Sequence, residues 1–264
     1  MIPVALPSLE FVLIRLAFVL ATLFWLGWTL RLCLSASARQ RLSPRRTMMY
    51  AASAVLGVYT LVSFYQLLRH VAESRAAYDA SFRLTLTKPR VLGAIEMPAG
   101  TALELAIAHR PDAFSTARFP HPVQIGGVST LTARRYLAIH TDDAHRTTGY
   151  TPINIRLEGQ GHGVLLGWVC DAAQPIIFAT HPDGGVGEFQ SCTLAEGNHI
   201  ENIPLPQGAE LIATTGTVYP DGRVDPDRWL IHLPTTSELH IGGGLQRGGA
   251  ILLDADRKLY RRVP

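Results

Sequence analysis

Residues Thr47 to Leu68, TMMYAASAVLGVYTLVSFYQLL, make a run of 22 without a charged side chain. At about 1.5 Å rise per residue, a helix of that length reaches about 33 Å and crosses a hydrocarbon core of roughly 30 Å. A second run, Phe11 to Leu34, is interrupted only by Arg15 and Arg31. Both arginines stand near an end, where long side chains snorkel to the headgroups, and Trp25 and Trp28 suit an interfacial aromatic belt. The two runs predict an N-terminal transmembrane hairpin in a first domain of residues 1–80, with helices over about 9–32 and 47–70. The lipid bilayer is therefore the first expected partner. The first run lacks a basic start and a small-x-small cleavage site, so it is expected to stay attached.

Between the runs stands ARQRLSPRRTMM, with Arg39, Arg41, Arg45 and Arg46 and no acidic residue. Short arginine-rich loops stay on the cytoplasmic side of a membrane. The opposite flanks are mixed in charge, with Glu10 before the first run and Arg69, Glu73, Arg75 and Asp79 after the second. The arginines then read as a topology device, with Ser43-Pro44 as the break between helices. Both termini, and everything from about residue 80, are expected in the periplasm, with the hairpin in a bacterial inner membrane. No acidic or histidine residue lies mid-span to relay protons. Ala17/Ala21 and Ser53/Gly57 are small-xxx-small pairs suited to close helix packing.

Charge divides the chain at the same place. Residues 1–82 carry eight arginines against three acidic groups, and residues 83–264 carry sixteen Lys/Arg against eighteen Asp/Glu, 16 − 18 = −2. Nothing in the larger part would neutralise a row of phosphates, so no nucleic-acid partner is expected.

After residue 80 the pattern changes to short alternating runs such as FRLTLT, TALELAIA, INIRLE and WLIHL, separated by Pro, Gly, Asp and Asn. These predict strands joined by turns, an all-β domain over 81–264. The runs also resemble one another. LTLTKPRVLGAIEMPAGTALEL and CTLAEGNHIENIPLPQGAEL superpose at a shift of 108, which matches Ile95 with Ile203, Pro98 with Pro206 and Gly100 with Gly208. ARFPHPVQIGGV follows the first copy at a shift of 33, which matches Gly93 with Gly126. Five units beginning near Phe82, Ser115, Ile153, Gln190 and Trp229 are read as an all-β repeat of stacked β-hairpins. Each unit is too small to bury its apolar face without its neighbours.

These phrases, CTLAEGNHIENIPLPQG above all, resemble the MORN-like β-repeats of bacterial antitoxin and immunity-type proteins over residues 82–253. The period here is longer than the usual MORN unit and the G-x-Y core of that unit is absent. The resemblance implies a repeat sheet that binds other proteins, and it assigns no catalytic residue.

The residues that could carry chemistry form no complete set. HTDDAH brings His140, Asp142, Asp143 and His145 together, and His140, Asp142 and His145 are weak metal candidates. A polar turn explains the segment as well, because its spacing fits no established zinc pattern. YPDGRVDPDRW lacks the glutamate of an EF-hand loop, and IGGGLQRGG lacks the ending of a phosphate loop. Cys170 and Cys192 are read either as a disulfide, in an oxidising compartment, or as two buried thiols. A nucleophilic Cys170 beside His162 or His181 lacks an orienting third group. Tyr136, Tyr150, Trp168 and Tyr219 are candidate contact residues that sequence cannot separate from core.

No catalytic residue, metal or cofactor is therefore expected, and the chain is not read as an enzyme. The leading expectation is a membrane-anchored β-domain that binds a protein partner, an immunity-type protein neutralising a toxin. The alternatives are a structural subunit of an envelope or secretion complex, and a membrane sensor-effector with a ligand-binding β-domain.

Overall fold

The computed structural model describes residues 9–35, 43–216 and 218–263. It divides into two compact units, Met1–Asp79 and Ala80–Pro264.

The first unit holds two helices, α1 (Leu9–Leu34) and α2 (Pro44–Ser81), both long and apolar enough to cross a membrane by length and composition. Their side chains are mostly exposed: Leu23, Phe24, Leu30, Val55 and Phe64 each show more than half their surface. A helix in a water-soluble core would cover such residues. The helices pack antiparallel. Phe18 meets Tyr59 with ring centroids 6.1 Å apart, Trp28 meets Tyr50 at 5.8 Å, and Thr29 and Tyr50 share a hydrogen bond of 3.0 Å. Gly57 is buried at this contact, and a Cβ there would stand 2.5 Å from Trp25 Cε3. Of the two small-residue pairs, Ser53/Gly57 lies at the helix contact, whereas Ala17 is exposed.

α2 is longer than the expected 47–70 at both ends. Pro44 opens it, since proline at a first helical position gives up an N–H that would have no partner there. Arg45 and Arg46, expected in the loop, thus belong to its first turn; Arg39 and Arg41 lie outside the described residues. At the other end no glycine or proline interrupts the chain after Gly57 until Pro89. The helix runs on through helix-favouring Ala, Glu and Arg residues, with Arg69 and Glu73 paired at 2.7 Å one turn apart.

The second unit is all β. Its spine is an eleven-stranded antiparallel sheet in the order β1-β4-β5-β6-β7-β10-β11-β14-β15-β18-β19. The chain runs β1 (Arg83–Thr85), β2 (Arg90–Leu92), β3 (Ile95–Met97) and β4 (Ala102–Leu105). A 3-10 turn (Pro111–Ala113) then leads to β5 (Phe114–Ile125), β6 (Val128–Thr141), β7 (Thr147–Gly159), β8 (His162–Leu165), β9 (Trp168–Asp171) and β10 (Ile176–Thr180). Next come β11 (Val186–Thr193), β12 (His199–Ile200), β13 (Ile203–Pro204), β14 (Glu210–Ala213) and β15 (Trp229–His232). The last four are β16 (Glu238–Ile241), β17 (Gly244–Arg247), β18 (Ala250–Leu253) and β19 (Leu259–Val263). The pairs β2-β3, β8-β9, β12-β13 and β16-β17 form separate two-stranded sheets.

The core lies between the large sheet and these small ones. The small sheets bury Leu92, Ile95, Met97, Leu165, Trp168, Ile200, Leu239 and Ile241, and the large sheet buries Leu103, Phe114, Ile155, Leu157, Leu211, Ile231 and Ile251, all in one cluster. Each fully covered side chain of this size contributes about 1.5–3 kcal/mol. Trp168 packs edge-on to Trp229 at 5.7 Å, and the aromatic contacts continue through Phe189 to Phe178. The sheet edges are short and charged: β1 has three exposed residues including Arg83, and β19 presents Arg261 and Arg262. Such edges discourage pairing with other chains.

β6 and β7 outrun their neighbours. β5 pairs with β6 only as far as Arg134, and β10 with β7 only as far as Asn154. Beyond these points the two strands pair only with each other, to Thr141 and Thr147, and form a two-stranded arm.

Gly57→Leu should separate the helices, because its side chain needs the space held by the Trp25 ring. The expected readout is slow oxidative cross-linking of a Phe18→Cys/Tyr59→Cys pair, in a Cys33→Ser background, against rapid cross-linking when Gly57 is retained.

Candidate functional site

A concave feature of the β unit is an open groove of about 1000 Å³. One wall is the turn and strand Ala94, Ile95, Glu96 and Pro98; the other is His121 to Gly126 at the end of β5. The loop from His181 to Gly187 closes one end, and Phe178 lies beneath. Pro89, Pro98 and Pro122 make much of the surface rigid. The charged side chains of the lining are Glu96 and Asp183, with no Lys or Arg among them.

The groove is held from below by Arg135, which is only 5% exposed. Its guanidinium lies over the Phe114 ring at 4.4 Å and donates from Nη1 to the Asp112 carbonyl at 3.2 Å. Burial lowers its pKa, opposed by Tyr150 and Asp112. A Cβ at Gly93 or Gly184 would collide with the same guanidinium. Both glycines hold positive φ, so the two turns that flank the groove rest on Arg135 for steric and backbone reasons together. The closing turn is fixed further: the Gly185 amide donates to Asp183 Oδ1 at 2.8 Å, and the Gly184 amide to the His181 carbonyl at 2.8 Å.

Beside Arg135 the arm is tethered to the 3-10 turn. The Tyr150 hydroxyl donates to the Asp112 carbonyl at 2.9 Å and to its carboxylate at 3.2 Å, while Arg110 pairs with that carboxylate at 2.8 Å. Burial raises the Asp112 pKa, but Arg110, its own backbone amide and Tyr150 outweigh this and hold it below the usual value. Tyr150 is raised, first by burial and then by the Asp112 charge.

Two of the three weak metal candidates, His140 and Asp142, are engaged with other residues. His140 Nε2 is 2.7 Å from Thr151 Oγ1. Asp142 takes the amide of Arg146 at 2.8 Å and its guanidinium at 2.8 Å, contacts that hold its carboxyl below the usual range. His145 sits in the turn with a φ of 58°. Among the described residues no group of three or more His, Cys, Asp or Glu is placed to hold a metal ion.

Cys170 and Cys192 are joined by a disulfide, with Cα atoms 5.9 Å apart. A β-bridge between Cys170 and Leu194 lays β9 across β11 and so brings Cys192 within reach. Asn198 secures the crossing: its amide nitrogen donates to the carbonyls of Val169 and Ala195, and its oxygen accepts from the Val169 amide. Of the candidate contact residues, Trp168 is fully buried and Tyr136 is 64% exposed. Tyr219 donates to Asp225 at 2.9 Å.

Comparison with protein-family models, with curated proteins and with solved structures finds no match to this chain. The site must therefore be read from its own geometry. Neither the groove nor the Arg135 cluster was singled out from sequence, because their residues come from three separated segments. Gly93 and Gly126 were the available signal, since both stand at turns that frame the groove.

Two outcomes test this geometry. Cys170→Ser with Cys192→Ser should lower stability by about 3 kcal/mol, from the loop-closure entropy returned to the unfolded chain, and denaturant midpoints with and without reductant measure it. Asp112 gives a pH dependence. Its folded pKa is depressed, so the stabilisation is present above the unfolded value of 3.8 and is lost as pH falls through the lower folded value. Hydrogen exchange around Tyr150 should accelerate in that acid range beyond its intrinsic rate, and Asp112→Asn should abolish this acid dependence.

Proposed function

We propose that the chain is a bacterial inner-membrane protein whose two helices anchor a periplasmic β-repeat domain, and that this domain captures a protein partner. The resemblance to MORN-like repeats favours an immunity-type protein that neutralises a toxin.

The observation that carries the reading is the pair of apolar helices joined by an arginine-rich connection, followed by a domain that contains a disulfide. Arginines on a short connection favour its retention in the cytoplasm, and disulfides persist in oxidising compartments outside it. Arg45 and Arg46 stand in the first turn of α2, where positive charge opposes the helix macrodipole. A topological role accounts for charges that helix stability disfavours.

The repeat reading is supported by local geometry. Two-residue turns with positive φ at both positions close hairpins at Gly93, Gly126, Leu166, Glu201 and Gly242, in steps of 33, 40, 35 and 41; a further such pair, Gly248-Gly249, joins β17 to β18 outside this series. The units that begin near Phe82 and Gln190 also share hydrogen bonds. The Leu86 amide donates to Thr101 O and the Gly100 amide to Leu86 O; likewise Leu194 donates to Ala209 O and Gly208 to Leu194 O. A broad surface of short hairpins suits protein binding.

A phosphatase fused after Pro264 is expected to be active, and a fluorescent protein fused there is expected to stay dark in the periplasm; bright cytoplasmic fluorescence would overturn the orientation. For the capture itself, cells expressing the full chain should survive the cognate toxin, and that toxin should co-purify from solubilised membranes. Absence of both protection and a co-purifying partner would overturn it.

A further inference from the structure

The geometry points to the groove between β3 and β5 as the seat of an extended, basic segment of the partner protein, paired along the open edge of β5. This rests on the protein-capture reading above.

The edge follows from register. Ile125 and Val128 flank a two-residue turn and form its hydrogen-bonded pair, so the next pair, Gln124 with Ser129, is not hydrogen-bonded. The backbone N–H and C=O of Gln124 therefore point away from β6. Ser129 confirms the parity from its own strand, since its carbonyl accepts from the Gln160 amide on the far side. By the same count Glu96, opposite Val91, turns its backbone groups away from β2. β3 and β5 belong to different sheets, and among the described residues no β-bridge joins them. β4 pairs with β5 only through Arg118, so the stretch beyond it has an unclaimed side. Pro122 stands on that side and offers a carbonyl but no N–H, as prolines at strand edges do.

A strand laid along His121–Gly126 would receive one donor, from Gln124, and two acceptors, from Gln124 and from Pro122, whose carbonyl also has His121 Nδ1 at 3.5 Å and keeps a second lone pair. Six residues of extended chain span about 20 Å. Charge selects the occupant. Glu96 and Asp183 are exposed in a lining that holds no Lys or Arg, so lysine or arginine on the incoming strand finds complementary charge and glutamate meets repulsion. The prolines and Phe178 suit apolar residues between the basic ones.

The test uses the detergent-solubilised full chain and a fluorescein-labelled peptide of about eight alternating lysine and valine residues, long enough to cover the wall. Saturable anisotropy is expected. Binding should weaken about tenfold in Glu96→Lys combined with Asp183→Asn, from two altered ion pairs at the groove. Asparagine at 183 keeps the acceptor for the Gly185 amide, so the closing turn survives. Gln124→Pro should also weaken binding, because it removes the outward donor and leaves the ladder to β6 intact. Methylating every second peptide nitrogen should abolish binding in one of the two registers.

Absence of saturable binding, equal binding of the glutamate-valine peptide, or indifference to both methylation registers would overturn the assignment. If a partner is captured from membranes equally well by the parent and by Glu96→Lys/Asp183→Asn, the groove assignment falls and the capture reading stands. If the basic peptide binds as described while no partner is ever captured, the groove stands and the capture reading falls.

Discussion

The β unit depends on two-residue turns in which both residues hold positive φ. Such a turn matches the right-handed twist of the strands it joins, and it fixes which flanking pair is hydrogen-bonded. Register then fixes every later feature, because side chains alternate between faces and backbone groups alternate between edges. At Gly93-Ala94 it sends Leu92, Ile95 and Met97 into the core and leaves Glu96 outside. At Gly126-Gly127 it buries Ile125 and Val128 and turns Gln124 outward. A slip of one residue at either turn would reverse both assignments and erase the groove.

A hairpin of this size cannot hold itself together in water. Each small sheet gains stability by laying its buried side on the large sheet, and three devices set the positions of the β2-β3 and β8-β9 sheets. Glycines at Gly93 and Gly184 allow backbone to close over Arg135. The disulfide and Asn198 fix β9 against β11. Arg257 covers the outer side of Trp168 at 4.3 Å and donates to the carbonyls of the Leu166-Gly167 turn. In all three places one polar or covalent link orients apolar surfaces whose burial supplies most of the free energy.

Some of this was legible in the sequence. The uncharged run from Thr47 predicts a spanning helix because length and hydropathy act locally, and glycine pairs such as Gly126-Gly127 mark their own turns. The turn at Glu201-Asn202 carries no glycine, and only its likeness to Gly93-Ala94 at a shift of 108 signals it. Alternation predicts that a residue is half-buried without saying what lies beyond it. Arg135 occupies an inward position between Ala133 and Leu137, yet its contacts with Phe114, Asp112, Gly93 and Gly184 come from three distant segments. Cys170 and Cys192 could be paired only as one of two alternatives, because the crossing of β9 over β11 decides it and has no local signature. The end of α2 escapes a hydropathy pattern for the opposite reason: hydropathy ends at Leu68, but helix propensity does not.

The polarity of the groove follows from how the chain distributes charge. The whole sequence is at +3, yet residues 83–264 alone sum to −2, so a global balance would assign the wrong sign to this surface. Range matters as much as sum. At physiological ionic strength exposed charges are screened beyond about 8 Å, so arginines elsewhere in the β unit, such as those of β19, cannot offset Glu96 and Asp183 unless they stand next to them. Among the lining residues none does. Arg135 is near, beneath the turns that flank the groove, but it is buried, directed at Asp112 and Phe114, and separated from the opening by Gly93 and Gly184. Its charge supports the frame while the two carboxylates set the sign that an approaching segment meets.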